Sequence, residues 1–238
     1  MRLADIENQP GDVSFIIDSM LAELGDAIDA TRIGASGLSY GGMTTMLAAY
    51  HPEVRDARIK AALPIAPALT CVFTPRFFAG ADVPLLMLVG SSDQLVPYRQ
   101  NAKRPFKMAR APKTLVTVLD ASHTGFTGFL ANHPGTPHPD QVGCGFLLDI
   151  LSGNPDANFF AGLEGKGNGV AFTPKRCPLP CEETLPESAM PPAVQQELTR
   201  IAGVAFFEGT LRDDVGARCF LHDGFAAEND EVRVQGRP

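Results

Sequence analysis

The 238-residue sequence contains no unbroken apolar run of about 18 residues, which excludes a single spanning helix, so no membrane span is expected. It also lacks a surplus of positive charge. The 20 basic and 27 acidic side chains leave a formal charge of −7, which argues against a phosphate-backbone partner drawn by charge alone, and no nucleic acid is expected. The first residues, MRLADIENQPGD, lack the basic start and apolar stretch of an export leader. Paired metal-ligand spacings are missing too: His133, His138 and Cys144 read as scattered loop residues, and no metal is expected. Gly162 to Gly169 resembles a phosphate loop only superficially, because no lysine motif completes it, and it reads as a flexible loop. Internal repeats are absent. Five cysteines allow at most two bridges and leave one thiol. Cys177 and Cys181 could close a small loop, pair with Cys144, or stay reduced, and no compartment follows from them.

What is present is enough for one sizeable core: 45% hydrophobic residues and 15 Phe, read as a single domain over residues 1–238. Val13, Ile16, Ile17, Met20, Leu21 and Leu24 recur at helical steps after Pro10. Apolar runs at 31–36, 59–66, 84–90 and 114–119 read as strands, with a helix near 97–110 before the last. Strands of this kind, alternating with helices, predict an α/β class with a mostly parallel sheet flanked by helices. Residues 131–192, rich in Pro, Gly and Asn, read as an irregular insertion or lid with a short helix near 145–151. A helix is expected over 194–211, then a polar tail.

Gly37-Leu-Ser39-Tyr-Gly41-Gly42 fits G-x-S-x-G between a predicted strand and a predicted helix. There the turn is so sharp that the flanking glycines must pass without a Cβ, which leaves Ser39 projecting. The Tyr40 backbone N–H at the helix start is the expected oxyanion donor. A serine hydroxyl needs a base, and the base needs an orienting carboxylate. Asp93 follows the third strand and His123 the fourth, in the chain order this triad requires. Asp120 is the alternative carboxylate. His51 reads as a helix end, and His222 as part of the tail.

With those residues in hand, the chain resembles the α/β-hydrolases. The likeness is to the dienelactone-hydrolase-like branch that includes platelet-activating-factor acetylhydrolase-type and polyester-hydrolase-type serine esterases. Pro10 to Asp18 resembles the helix before the nucleophile strand, and Ser122 to Phe126 resembles the histidine loop. The resemblance implies Ser39 as nucleophile, Asp93 as orienting acid and His123 as base. Two departures accompany it: Ser39 stands where the namesake enzymes use cysteine, and only about 38 residues precede it where family members carry several strands. The N-terminal half of the sheet is therefore expected to be missing, leaving the strand at 31–36 as an open edge.

These readings predict a serine hydrolase that cleaves small-molecule carboxylic esters through an acyl-enzyme on Ser39, without a cofactor. Phe73, Phe77, Phe78, Leu95 and Phe126 are the expected substrate-binding residues. A peptidase or amidase with the same triad is one alternative. Another is an impaired hydrolase fragment acting as an assembly partner, including a homodimer through the exposed sheet edge.

Overall fold

The computed structural model describes residues 3–110, 112–128, 136, 138–152, 162–165, 167–173, 175–182 and 186–237. Five strands form one sheet in the order β1-β2-β3-β4-β5: β1 Ile33–Leu38, β2 Ile59–Ile65, β3 Leu85–Gly90, β4 Lys113–Val118 and β5 Val232–Arg237. The first four run parallel, as the four apolar segments predict, and β5 is antiparallel to β4. This is an α/β fold with helices on both faces.

The continuous apolar runs are explained by cover on both sides. In β3, Leu85, Met87 and Val89 face a core shared with α1 (Gln9–Leu24) and α2 (Tyr40–Tyr50), while Leu86 and Leu88 face α5 (Pro192–Leu211). Burying these side chains contributes about 1.5–3 kcal/mol each. The expected helix near 97–110 is a π-helical turn, Arg99–Lys103, continued by α3, Arg104–Met108. The short helix expected near 145–151 is longer at its start, as α4 (Asp140–Ser152).

The polar tail proves structured. α6 (Val215–Cys219), a π-helical turn at Phe220–Gly224 that contains the half-buried His222, and α7 (Phe225–Glu228) lead into β5. Val232 and Val234 face the core while Arg233 and Gln235 face outward, an alternation suited to a strand covered on one side. At the opposite edge, no strand among the described residues pairs with the outer side of β1. α1 also departs from expectation. Ile17 is buried with Val13 and Leu21 packed on the core, but Ile16, Met20 and Leu24 join Phe15 on an exposed second stripe.

Of the expected insertion, residues 131–135, 137, 153–161, 166, 174 and 183–185 lie outside the described residues, His133 among them. The described part packs on the connection between β2 and β3: Gly169 O accepts from Thr74 N–H at 2.9 Å, and Val72 O accepts from Ala171 N–H at 3.0 Å. Gly169, at φ 80°, lies so close to the Phe77 backbone that a Cβ would overlap it, so this end of the glycine-rich segment is pinned rather than loose. Disulfides Cys71–Cys177 and Cys144–Cys181 fix the same region. Cys181 thus pairs with Cys144, the small Cys177–Cys181 loop does not form, and exposed Cys219 keeps its thiol. Among the described residues, no helix is long and apolar enough to cross a membrane.

The Cys71–Cys177 bridge spans 106 positions of sequence, a closure that strongly restricts the unfolded chain. Replacing both cysteines with serine should lower the unfolding free energy by roughly 2–5 kcal/mol. A denaturant titration checks this, and an unmoved midpoint would mean that the neighbouring backbone bonds hold the segment alone.

Candidate active site

β1 ends at Leu38 and α2 begins at Tyr40, which leaves Ser39 alone on the turn with φ 57° and ψ −114°. A non-glycine residue in this region costs about 1–3 kcal/mol and persists only when its surroundings enforce it. Here they do. Ser39 N–H donates to Ile65 O at 2.8 Å, and Ser39 O accepts from Met43 N–H and Ala68 N–H, both at 3.0 Å. A Cβ on Gly37 would overlap the Gly41 carbonyl, so the backbone passes itself there as expected. Gly41 differs from expectation, because a Cβ there would meet nothing. The second crowded glycine is Gly42, whose Cβ would lie 2.9 Å from Pro67 Cα. Tyr40 supplies the first N–H of α2, in the part of a helix where amides lack intrahelical acceptors.

Asp93 and His123 follow the carboxyl ends of β3 and β4, the same sheet edge as Ser39. Gly90 lets their loops close on each other, since a Cβ there would overlap the Ala121 carbonyl. Asp93 Oδ1 accepts from Val96 N–H at 2.7 Å, and Oδ2 lies 2.7 Å from His123 Nδ1. Their side chains are 2% and 7% exposed, which places this polar contact away from solvent. An ionised carboxylate can only accept, so Nδ1 carries the proton and Nε2 is left with its lone pair. Asp120, the alternative carboxylate, is an exposed turn residue at φ 56° whose N–H donates to Ser91 Oγ.

Burial alone would push the His123 pKa down. The Asp93 carboxylate, the hydrogen bond to it and the charge of Asp140 outweigh burial, so the imidazole titrates above its ordinary 6.5. Burial holds Asp93 above the usual carboxylate range, opposed by His123 and the Val96 N–H. The two titrate as a coupled pair.

Further residues build the site without having been picked out of the sequence. Asp140, the first residue of α4, is fully buried and accepts backbone N–H groups from both loops: Gln94 and His123 at Oδ2, Thr124 at Oδ1. Gln195 in α5, also fully buried, holds Ser122 from both sides, with Ser122 N–H donating to Oε1 at 3.2 Å and Nε2 donating to Ser122 O at 2.7 Å. His138, read from the sequence as a scattered loop residue, is buried beside Asp140. It is 3% exposed, its Nδ1 accepts from Asp140 N–H at 3.3 Å, and its buried Nε2 has no partner among the described residues. Burial lowers its pKa against the pull of Asp140 and Asp93.

A family model described as PET hydrolase-like matches residues 13–133, just over half of the chain and the part that holds Ser39, Asp93 and His123. The chain belongs to the PET hydrolase-like family. Membership implies an ester hydrolase of the α/β-hydrolase kind, and the buried His123–Asp93 pair is consistent with a triad. Among curated proteins, none matches the chain.

In this PET hydrolase-like chain the structure joins Asp93 to His123, while no hydrogen bond among the described residues joins Ser39 to His123. β2 and β3 lie between β1 and β4, so the histidine loop must reach back along the sheet edge to meet the serine. The aromatic expectation needs correction. Phe73, Phe77 and Phe78 are at most 1% exposed and pack ring on ring, Phe73 stacking on Phe77 at 3.7 Å, so they are core and offer no surface to a ligand. Leu95 and Phe126 are half-buried on the loops beside Asp93 and His123. His51 ends α2 as expected, its N–H bonded to Leu47 O.

Replacing Gln195 with Ala strands a buried N–H and a buried carbonyl at Ser122. The expected loss is about 2–4 kcal/mol of stability, read from urea unfolding, and a change below about 0.5 kcal/mol would contradict the double bond to Ser122.

Proposed function

We propose that this chain is a serine hydrolase that cleaves carboxylic esters, with Ser39 as nucleophile, His123 as base and Asp93 as orienting acid. The observation that carries the reading is the buried His123–Asp93 bond of 2.7 Å on the sheet edge that also bears the strained Ser39 turn. Ser39 Oγ attacks the acyl carbon as its proton passes to His123 Nε2, and the Tyr40 N–H donates to the oxyanion. The carbon–oxygen ester bond then breaks, and His123 gives its proton to the departing alkoxide. Water, deprotonated by the same Nε2, releases the acid and restores the serine. Every step runs on side chains and backbone groups of this chain, so the reading calls for no cofactor.

Half-buried Leu95 and Phe126 remain the apolar candidates for contact with the acyl or alcohol part. The serine at the elbow favours the acetylhydrolase-type and polyester-hydrolase-type esterases over the lactone chemistry of cysteine relatives. A second reading, assembly through the β1 edge, is favoured by one observation: among the described residues the outer side of β1 has no strand partner, in a chain whose α1 exposes Phe15, Ile16, Met20 and Leu24.

Hydrolysis of short-chain aryl esters, with aryl amides in parallel, tests the first reading. Ser39→Ala should lower kcat by about 10³-fold or more and abolish labelling by an organophosphonate. Equal rates for the two proteins, with no adduct on Ser39, would sink it. Amide cleavage matching ester cleavage would favour the peptidase alternative. Size-exclusion chromatography decides the second reading, since an active monomer contradicts assembly through the edge.

The sign of the pH dependence follows from His123. A raised pKa means that the neutral base disappears at higher pH than for a free histidine, so kcat/KM should fall on acidification with a midpoint above 6.5. A midpoint clearly below that value would show burial outweighing the carboxylates.

A further inference from the structure

We propose that Asp140 is a positioning residue of the hydrolytic site: its buried carboxylate clips the Asp93 loop to the His123 loop and thereby sets the His123–Asp93 geometry. The inference rests on the triad reading above and goes beyond it. Registered pairing of β3 with β4 ends at Gly90 and Val118, before either functional side chain is reached. Beyond that point the two loops are free to diverge unless something joins them. Asp140 reaches the residue next to Asp93 and the base itself, with Oδ2 2.9 Å from Gln94 N and 3.1 Å from His123 N, and Oδ1 2.7 Å from Thr124 N. Three direct links, Ser91 N–H to Val118 O, Ser92 N–H to Ala121 O and Asp120 N–H to Ser91 Oγ, lie on the strand side of this clip.

The clip is itself anchored. Cys144, one turn into α4, is bridged to Cys181, whose N–H donates to Gln94 O at 2.8 Å. Gln94 is therefore gripped at its N–H by α4 and at its carbonyl by the segment tied to α4. A buried carboxylate suits this role because it presents acceptors only, toward three converging donors. Asparagine would turn an NH₂ against one of them. The charged groups that act on the His123 ring are Asp93 from the β3 loop and Asp140 from the start of α4, and His138, on the segment before α4, lies within electrostatic reach of both carboxylates. Removing the Asp140 charge withdraws one of the two carboxylates that favour the imidazolium.

Asp140→Asn is the test, made in the full chain. Its kcat on an aryl ester should fall about 10- to 100-fold with KM within about twofold, as for a displaced catalytic group. The acid limb of the pH–rate profile should move to lower pH, and the low-field Nδ1 proton resonance of His123 should shift or broaden. A purely structural role would lower the unfolding midpoint and leave limb and resonance in place, and that outcome overturns the proposal. If the unaltered protein shows no hydrolysis dependent on Ser39, the esterase reading falls. The His123 NMR titration of the same pair still decides the role of Asp140. Should the variant not fold, amide exchange in the unaltered protein decides: protection of Gln94, His123 and Thr124 supports the clip, and exchange at the rate of an open loop overturns it.

Discussion

A carboxylate taken out of water must have its hydration replaced by donors, and the upper edge of this sheet is organised around two such groups. Asp93 is satisfied by an imidazole and a backbone amide, and Asp140 by three backbone amides. Each donor belongs to a loop that leaves a parallel strand or flanks one. Meeting the needs of the buried oxygens therefore also fixes where those loops run. The elbow follows the same logic with backbone atoms: an unfavourable φ at Ser39 is maintained by three main-chain hydrogen bonds and by the close passage of Gly37 over Gly41.

The two-sided core makes such demands affordable. α1 and α2 on one face and α5 on the other bury the central strands β2 and β3 from both sides. α5 also takes part directly, because Gln195 at its first turn grasps Ser122 while Leu198, Ala202 and Phe206 farther along seal the sheet. One helix thus couples packing to the placement of the histidine loop.

The four parallel strands, the elbow and the loops bearing Asp93 and His123 were legible because each leaves a local signature: an apolar run, a glycine pair, a polar residue just past a strand. Asp140 carries a helix-start signature after Pro139, but nothing local reveals that its oxygens meet residues 94, 123 and 124. Gln195 is equally silent, since its partner lies 73 positions away. The alternation of Val232 to Gln235 was readable as a strand and was masked by charged neighbours. The three phenylalanines misled in the opposite direction, because an apolar side chain near a strand end reads the same whether it lines a cavity or fills a core.

Cys219 gives the fold an experimental handle. Four of the five cysteines are consumed in bridges, and this one lies exposed on α6. Its neighbour Arg218 borders a cavity with Pro84, Leu85, Pro112 and Lys113, at the amino ends of β3 and β4. Ser39, Asp93 and His123 follow the opposite ends of their strands, roughly 20 Å away along six residues of strand. A fluorophore or a solid support attached to that sulfur would therefore leave Ser39, Asp93 and His123 unobstructed and hold every molecule in the same orientation.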